Sequence, residues 1–319
     1  MPKPEKILVI KLGALGDFIQ ASGPFKAIRL HHSSETITLL TSKYFYDFAR
    51  TSPWFDHIKI DHRPKPLQFM KWLKLRAWIR NSGFTRVYDL QTSDRSNFYY
   101  KMLMPFSTLD PKPDWSGIAP GCSHPHDNPR RDLMHTIDRQ KEQLKIAGID
   151  KIPSGDFSWV NTNISSFGLN DNFVIIVPGG ASHRLNKRWP AHYYSELIEY
   201  FTSEEIQVVL IGGKEEKPLL SELEKVDLNC ISLAGKTTLI DLFGLARKSM
   251  ATIGNDTGPM HIAAASGCKT IVLYTPTSDP SLCAQRGDNV TIFQTDSISD
   301  TKPLQIIESI DLSERQKQT

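Results

Sequence analysis

Short, unbroken apolar runs recur along this chain at Ile7–Ile10, Thr36–Leu40, Val87–Leu90, Phe173–Val177, Gln207–Ile211, Ala251–Ile253 and Thr270–Tyr274. A strand without polar alternation is buried on both faces, which predicts parallel sheets covered by helices. Between these runs, apolar positions at helical spacing predict helices over Phe18–His31, Ala191–Thr202, Leu219–Lys225, Thr238–Lys248 and Pro259–Ser266. The alternation is α/β throughout. A polar, turn-rich seam from Trp159 to Asn172 precedes the strand at Phe173, so the boundary between two domains is placed there, giving 1–160 and 161–299. Ligands of such sheets bind where strands end and helices begin. The chemistry is therefore expected in loops of that kind, in a cleft between the two domains.

Composition narrows the classes. A chain of 319 residues is long enough for two cores. Its net charge of +3 and lack of a long Lys/Arg run argue against a nucleic-acid partner. Cys122, Cys230, Cys268 and Cys283 show no C-x-x-C spacing, which fits unpaired thiols in a reducing compartment and no zinc site. No apolar stretch approaches the roughly 18 residues that span a bilayer. The expected location is cytoplasmic, at most peripheral on the inner face of the cytoplasmic membrane.

The strand ends carry the candidate chemistry. Lys11-Leu-Gly-Ala-Leu-Gly-Asp17 follows the first strand, and its glycines permit a sharp turn close to a ligand. The turn lacks the three-glycine dinucleotide fingerprint, and no acid ends the second strand, so a nicotinamide cofactor is not expected. Asp17 near a helix start reads either as a carboxylate favoured by the helix dipole or as a proton acceptor. In the second half, Gly179, Gly180 and Ser182 offer donors beside Lys187 and Arg188, the makings of a diphosphate cradle. Glu215 or Glu216, after Ile211-Gly-Gly213, is placed to accept from ribose hydroxyls. Gly235-Lys-Thr237 is not a P-loop, because Cys230 stands where its first glycine belongs. The stretch Ala251–Ala265 reads as strand, polar turn and helix. The unpaired N–H groups at Gly258 form a candidate anion site, with Asp256 and Thr257 at its mouth or else capping the helix.

Taken in order, Gly16-Asp17, Asp89-Leu-Gln91, Asn186-Lys-Arg-Trp-Pro190, Ile211-Gly-Gly213, Leu233-Ala-Gly235 and Asn255-Asp-Thr-Gly-Pro-Met-His261 resemble glycosyltransferase family 9, the ADP-heptose:lipopolysaccharide heptosyltransferases. The resemblance runs over about residues 5 to 295. It implies a GT-B fold of two Rossmann-like domains, the first for acceptor and the second for a nucleotide-sugar donor. A C-terminal helix at Pro303–Ser309, within 300–319, would return to the first. It further implies Asp17 as catalytic base, Lys187 on the donor phosphates, Asp256, Thr257 and Gly258 on diphosphate and sugar, and His261 in support. Glu215 would take the ribose, and Asp89, Gln91 and Arg95 would face the acceptor. The chain departs from the family at Thr92, Gln20 and Gly179–His183, which bears on the sugar and acceptor. The implied reaction inverts the anomeric centre without a metal ion or cofactor. In keeping with this, the chain has no D-x-D pair.

One further segment stands out. Arg63–Arg80 holds six basic residues, Trp72, Phe69 and Trp78, and no acid. At helical spacing Trp72, Leu75 and Ile79 make one stripe and Lys71, Lys74 and Trp78 another. The alternatives are a helix packed by its aromatics on the first core, or a basic face in which Lys71 and Lys74 meet a phosphorylated glycolipid acceptor or an anionic membrane. His124, His126, Arg130 and Arg131 lie in a polar loop that adds candidate acceptor contacts.

Overall fold

The computed structural model describes residues 5–103, 112–180 and 188–310. The chain divides between Trp159 and Val160 into two compact units. The first runs β1 (Lys6–Ile10), α1 (Leu15–Gln20), α2 (Ser22–His31), β2 (Thr36–Ser42), α3 (Tyr46–Arg50), β3 (His57–Asp61), α4 (Phe69–Asn81), β4 (Arg86–Asp89), α5 (Asp94–Leu103), β5 (Asp114–Gly117), β6 (His124–Pro125) and α6 (Thr136–Ile146). The second runs β7 (Phe173–Val177), α7 (Ala191–Ser203), β8 (Gln207–Leu210), α8 (Lys217–Leu223), β9 (Cys230–Ser232), α9 (Leu239–Lys248), β10 (Thr252–Asn255), α10 (Gly258–Ala265), β11 (Thr270–Tyr274), α11 (Pro280–Cys283), β12 (Val290–Gln294) and α12 (Pro303–Glu308).

Each unit is built on one parallel six-stranded sheet, in the orders β3-β2-β1-β4-β5-β6 and β12-β11-β10-β7-β8-β9. Both are the doubly wound order 3-2-1-4-5-6, counted within each unit. In each, the chain winds one way from the first strand and the other way from the fourth. The crevice outside the carboxyl ends of these two strands is where such a sheet binds ligands. In the first unit it opens between β1 and β4, in the second between β7 and β10.

The unbroken apolar runs have the predicted cause. Along β7, Val174 and Ile176 enter one buried cluster with α7, while Phe173, Ile175 and Val177 enter another with Leu245 and Met260. Both faces of the strand are covered. In the first unit Leu8, Ile10 and Val87 pack with Leu75 and Ile79 of α4 and with Tyr99 of α5. The helix predicted over Phe18–His31 is broken at Ala21, whose ψ of −1° ends α1 before α2 begins. The helix expected to return to the first unit packs elsewhere: α12 lies on α7, and Ile306 and Ile310 are buried with Trp189 and Tyr194 in the second unit's core. The Trp189 indole N–H donates to the Thr301 carbonyl at 2.9 Å, anchoring the approach to α12.

Candidate active site

In the first unit the switch point is organised by charge and by one amide. Gly13, at φ +139°, turns the chain out of β1 in a conformation that favours glycine. The Gln91 side-chain carbonyl, from the loop after β4, accepts the backbone N–H groups of Leu12 and Gly13 at 2.7 and 3.2 Å. It thereby ties the two loops together. Asp17 follows at the start of α1, half-buried, and its Oδ2 accepts the Ala14 N–H at 3.2 Å. The structure thus sets Asp17, expected as a base, and Gln91, expected on the acceptor side, on the same turn after β1.

Asp89 plays an inner part. It is fully buried, and its Oδ1 accepts the N–H groups of Gln91 and Thr92 at 3.1 and 3.0 Å. Burial pushes its carboxyl up to about 6, opposed by hydrogen bonds from Ser96, Thr92 and Gln91 and by the charge of Lys11. With no exposed surface, Asp89 shapes the loop instead of presenting the acceptor contact expected of it. Lys11 is buried beside it, its Nζ donating to the Leu90 carbonyl at 3.0 Å. Burial lowers its ammonium pKa, and Asp17 and Asp89 oppose that shift.

Arg131 joins this cluster from the polar loop. It donates to Thr92 Oγ1 at 2.7 Å and pairs with Asp132 at 2.8 Å, while its buried Nε has no hydrogen-bond partner among the described residues. Arg95, expected on the acceptor side, is half-buried. It reaches the Pro64 carbonyl at 3.3 Å and lies 5.3 Å from the centre of the Trp72 ring, while Lys71 and Lys74 are exposed on α4. The stripe Trp72, Leu75 and Ile79 belongs to the core.

In the second unit the loops after β7, β8 and β10 converge. Asn255 at the end of β10 is fully buried. It accepts from the Trp189 N–H and the Tyr194 hydroxyl at 3.0 Å each, and donates to the carbonyls of Pro178 and Gly179 at 2.9 and 3.0 Å. Glu216 bridges two glycine turns, accepting the Gly180 N–H at 2.6 Å and the Gly213 N–H at 2.7 Å. A Cβ on Gly179 would stand 1.7 Å from that carboxylate and would displace it. Glu215, the residue favoured from sequence, is exposed on the short 3-10 turn Lys214–Glu216, whereas its neighbour holds the loops.

Asp256 accepts from Ser278 Oγ at 2.7 Å and from Gln285 Nε2 at 3.2 Å. Thr257 takes the cap position of α10, yet its side chain makes no cap bond, and its buried Oγ1 lacks a partner among the described residues. The capping alternative for Thr257 is thus not what the structure displays. Gly258 and Pro259 open the helix, and His261 is buried one turn on. Arg188 donates to the Gly180 carbonyl at 2.7 Å and holds a buried Nε with no partner among the described residues. Ser182 and Lys187 lie outside the described residues.

The second site is therefore a helix start, an arginine and a threonine hydroxyl around small residues, a donor set suited to an anionic diphosphate. Among the described residues no group of three or more His, Cys, Asp or Glu side chains is arranged to hold a metal ion. No helix among them is long and apolar enough to cross a membrane.

Comparison with known proteins agrees with this layout. Residues 124–309, more than half of the 319-residue chain, match the family model for glycosyltransferase family 9 (heptosyltransferase). Lipooligosaccharide heptosyltransferase 2 of Haemophilus influenzae is 36% identical over 131 residues, 40% of this chain and 38% of that relative, so the aligned stretch spans less than half of its length. The solved structure of E. coli ADP-heptose lps heptosyltransferase II superposes with a TM-score of 0.80 at 19% identity, covering 98% of this chain and 100% of that one. E. coli heptosyltransferase WaaC with ADP gives a TM-score of 0.70 at 15% identity, over 96% of this chain and 99% of that one. The structural likeness establishes the GT-B fold. With the family model matched over residues 124–309, the chain belongs to glycosyltransferase family 9.

Proposed function

We propose that this chain is an inverting glycosyltransferase that moves heptose, or a closely related sugar, from an ADP-sugar to the inner core of a lipopolysaccharide. The observation that carries the reading is the uncapped start of α10 beside Arg188 and the Glu216-braced glycine turns. Family membership supports it, as do the relatives named heptosyltransferases. ADP in one of the similar solved structures favours an adenine nucleotide.

In the proposed step, the Asp17 carboxylate takes the proton of the acceptor hydroxyl as that oxygen bonds to the anomeric carbon of the donor. The bond from that carbon to the diphosphate oxygen breaks in line, and ADP departs with inversion. The negative charge gained by ADP is met by the N–H groups at Gly258, by the Thr257 hydroxyl and by Arg188, with Lys187 as a further cation. The step uses no metal ion or other cofactor. The acceptor is a membrane glycolipid, so the protein works at the inner face of the cytoplasmic membrane, in contact with an anionic surface.

Thermal unfolding in the presence of ADP-, UDP- and GDP-sugars tests the donor. A ligand at about 100 times its Kd adds about 2.7 kcal/mol to the folded state. For units of this size that raises Tm by roughly 5–10 °C. ADP-sugar should do so and the others should not. Stabilisation by UDP- or GDP-sugar alone would replace the donor assignment.

A further inference from the structure

Helix α4 has two unlike faces. Leu75 and Ile79 are buried in the first unit's core, with Trp72 and Trp78 half-buried against it. On the other side and in the approach to the helix, Leu67 is 85% exposed, Phe69 and Met70 68% each, and Leu73 55%. Exposed large apolar residues elsewhere, such as Leu30, Leu133, Leu228 and Leu304, stand singly. Single ones are ordinary; four within seven consecutive positions form a patch that calls for a partner.

Charge indicates which partner. From His62 to Tyr88 the chain contains no Asp or Glu, yet Arg63, Lys65, Lys71, Lys74, Arg76 and Arg80 all fall within it. A second copy of this patch would set cations against cations. Beside the helix, between it and β3, lies a groove of about 580 Å³ that Lys59, His62, Lys71 and Lys74 help to line. The one carboxylate in its wall, Asp61, is buried and accepts from the Tyr99 hydroxyl and the Arg63 N–H, whereas Lys71 and Lys74 on the helix side of the groove are exposed. An apolar wedge ringed by cations matches the boundary between headgroups and acyl chains in an anionic bilayer.

We infer that residues 65–77 are an interfacial anchor: Leu67, Phe69, Met70 and Leu73 enter an anionic bilayer, and the Lys59–Lys71–Lys74 groove takes a lipid phosphate. This deepens the membrane part of the proposed function and gives it a specific element. It is independent of the sugar chemistry, because binding to lipid is measured without donor or acceptor.

The test is sedimentation of the full chain with vesicles of phosphatidylcholine alone and with one-third phosphatidylglycerol. Binding is expected only with the anionic lipid, weakening as salt is raised. Phe69→Ser with Leu73→Ser, both exposed and so neutral for folding, should lower partitioning at least about ten-fold. Lys71→Gln with Lys74→Gln should remove the preference for phosphatidylglycerol. Leu228→Ser, an exposed leucine elsewhere, should change nothing. Absence of binding by the parent chain overturns the inference, and so does unchanged binding in both double variants. Conversion of a dimer to a monomer by the Phe69/Leu73 pair, with vesicle binding intact, would identify a self-interface and also overturn it. Free inorganic phosphate that binds the groove while vesicles do not would mark it as a soluble-anion site instead.

Discussion

Removing the Asn255 side chain should loosen the loops after β7 and β10 that form the proposed donor site, and the size of the effect follows from its four hydrogen bonds. Asn255→Ala leaves the Trp189 N–H, the Tyr194 hydroxyl and the carbonyls of Pro178 and Gly179 without their partner. A buried polar group left unpaired costs about 1–3 kcal/mol. Four would cost roughly 4–12 kcal/mol if nothing replaced the amide, but a water in the vacated space restores up to about three bonds. A net loss of about 3–5 kcal/mol is expected, a large part of the roughly 5–15 kcal/mol by which domains are stable. At about 2–4 °C per kcal/mol, Tm of the second unit should fall by roughly 6–20 °C. Asn255→Asp adds a sign. Its new oxygen faces two carbonyls in a buried site, so its folded-state pKa is raised and the neutral form is favoured. Its stability is then highest below the ordinary Asp value of about 3.9 and falls as pH rises through and above it. Calorimetry of the full chain at two pH values, with and without ADP, measures both effects. An alanine variant melting within about 2 °C of the parent, a shift below the roughly 6 °C minimum, would refute the reasoning.

Other predictions follow from single contacts. Gln91→Ala frees the Leu12 and Gly13 N–H groups and lets the Asp17 turn drift; transfer should slow about 10–100-fold with ADP affinity unchanged, while Gln91→Glu, which keeps an acceptor atom, should retain more of the rate. Asp89 is held at about 6 against an ordinary 3.8, so ionising it costs stability progressively as pH rises through that interval. The cost reaches roughly 3 kcal/mol above the interval, and denaturation of Asp89→Asn should lack that slope. His32 acts oppositely, since burial lowers it from 6.5 to about 4 and stability is lost as pH falls through that range. His32→Asn should therefore be less acid-sensitive than the parent. Gly179→Ala should weaken ADP binding about ten-fold by displacing the Glu216 carboxylate, and in a Glu216→Ala background the same change should cost much less, as calorimetric titration of the double-mutant cycle would show.

The central strands were legible because burial on both faces leaves an unbroken apolar run. The edge strands were not. In β3 and β12 the exposed and half-buried positions alternate, and β6 is two residues long, so no run marks them. The candidate site was legible where its residues stand at strand ends, as Asp17, Gln91 and Asp256–Gly258 do. Residues that act through distant partners were less so. Asn255 reaches residues 61 to 77 positions away, and Gly180 and Glu216 are 36 apart, so only the sheet order brings them together. Which of Glu215 and Glu216 braces the glycine turns was not legible, for a local reason. Successive side chains on a 3-10 turn point about 120° apart, and only one of the pair faces the glycines. The apolar patch on α4 escaped notice because periodicity identifies the buried stripe but not what covers the other side.

The central claim, that Asp17 is the base for transfer from an ADP-sugar, is tested most directly by the initial rate of sugar transfer from ADP-heptose for Asp17→Asn, with ADP binding measured on the same sample. A general base contributes about 10²–10⁴-fold, so the rate should fall by at least about 100-fold while ADP affinity stays within about two-fold of the parent. Turnover within about ten-fold of the parent, at unchanged ADP affinity, would contradict the account.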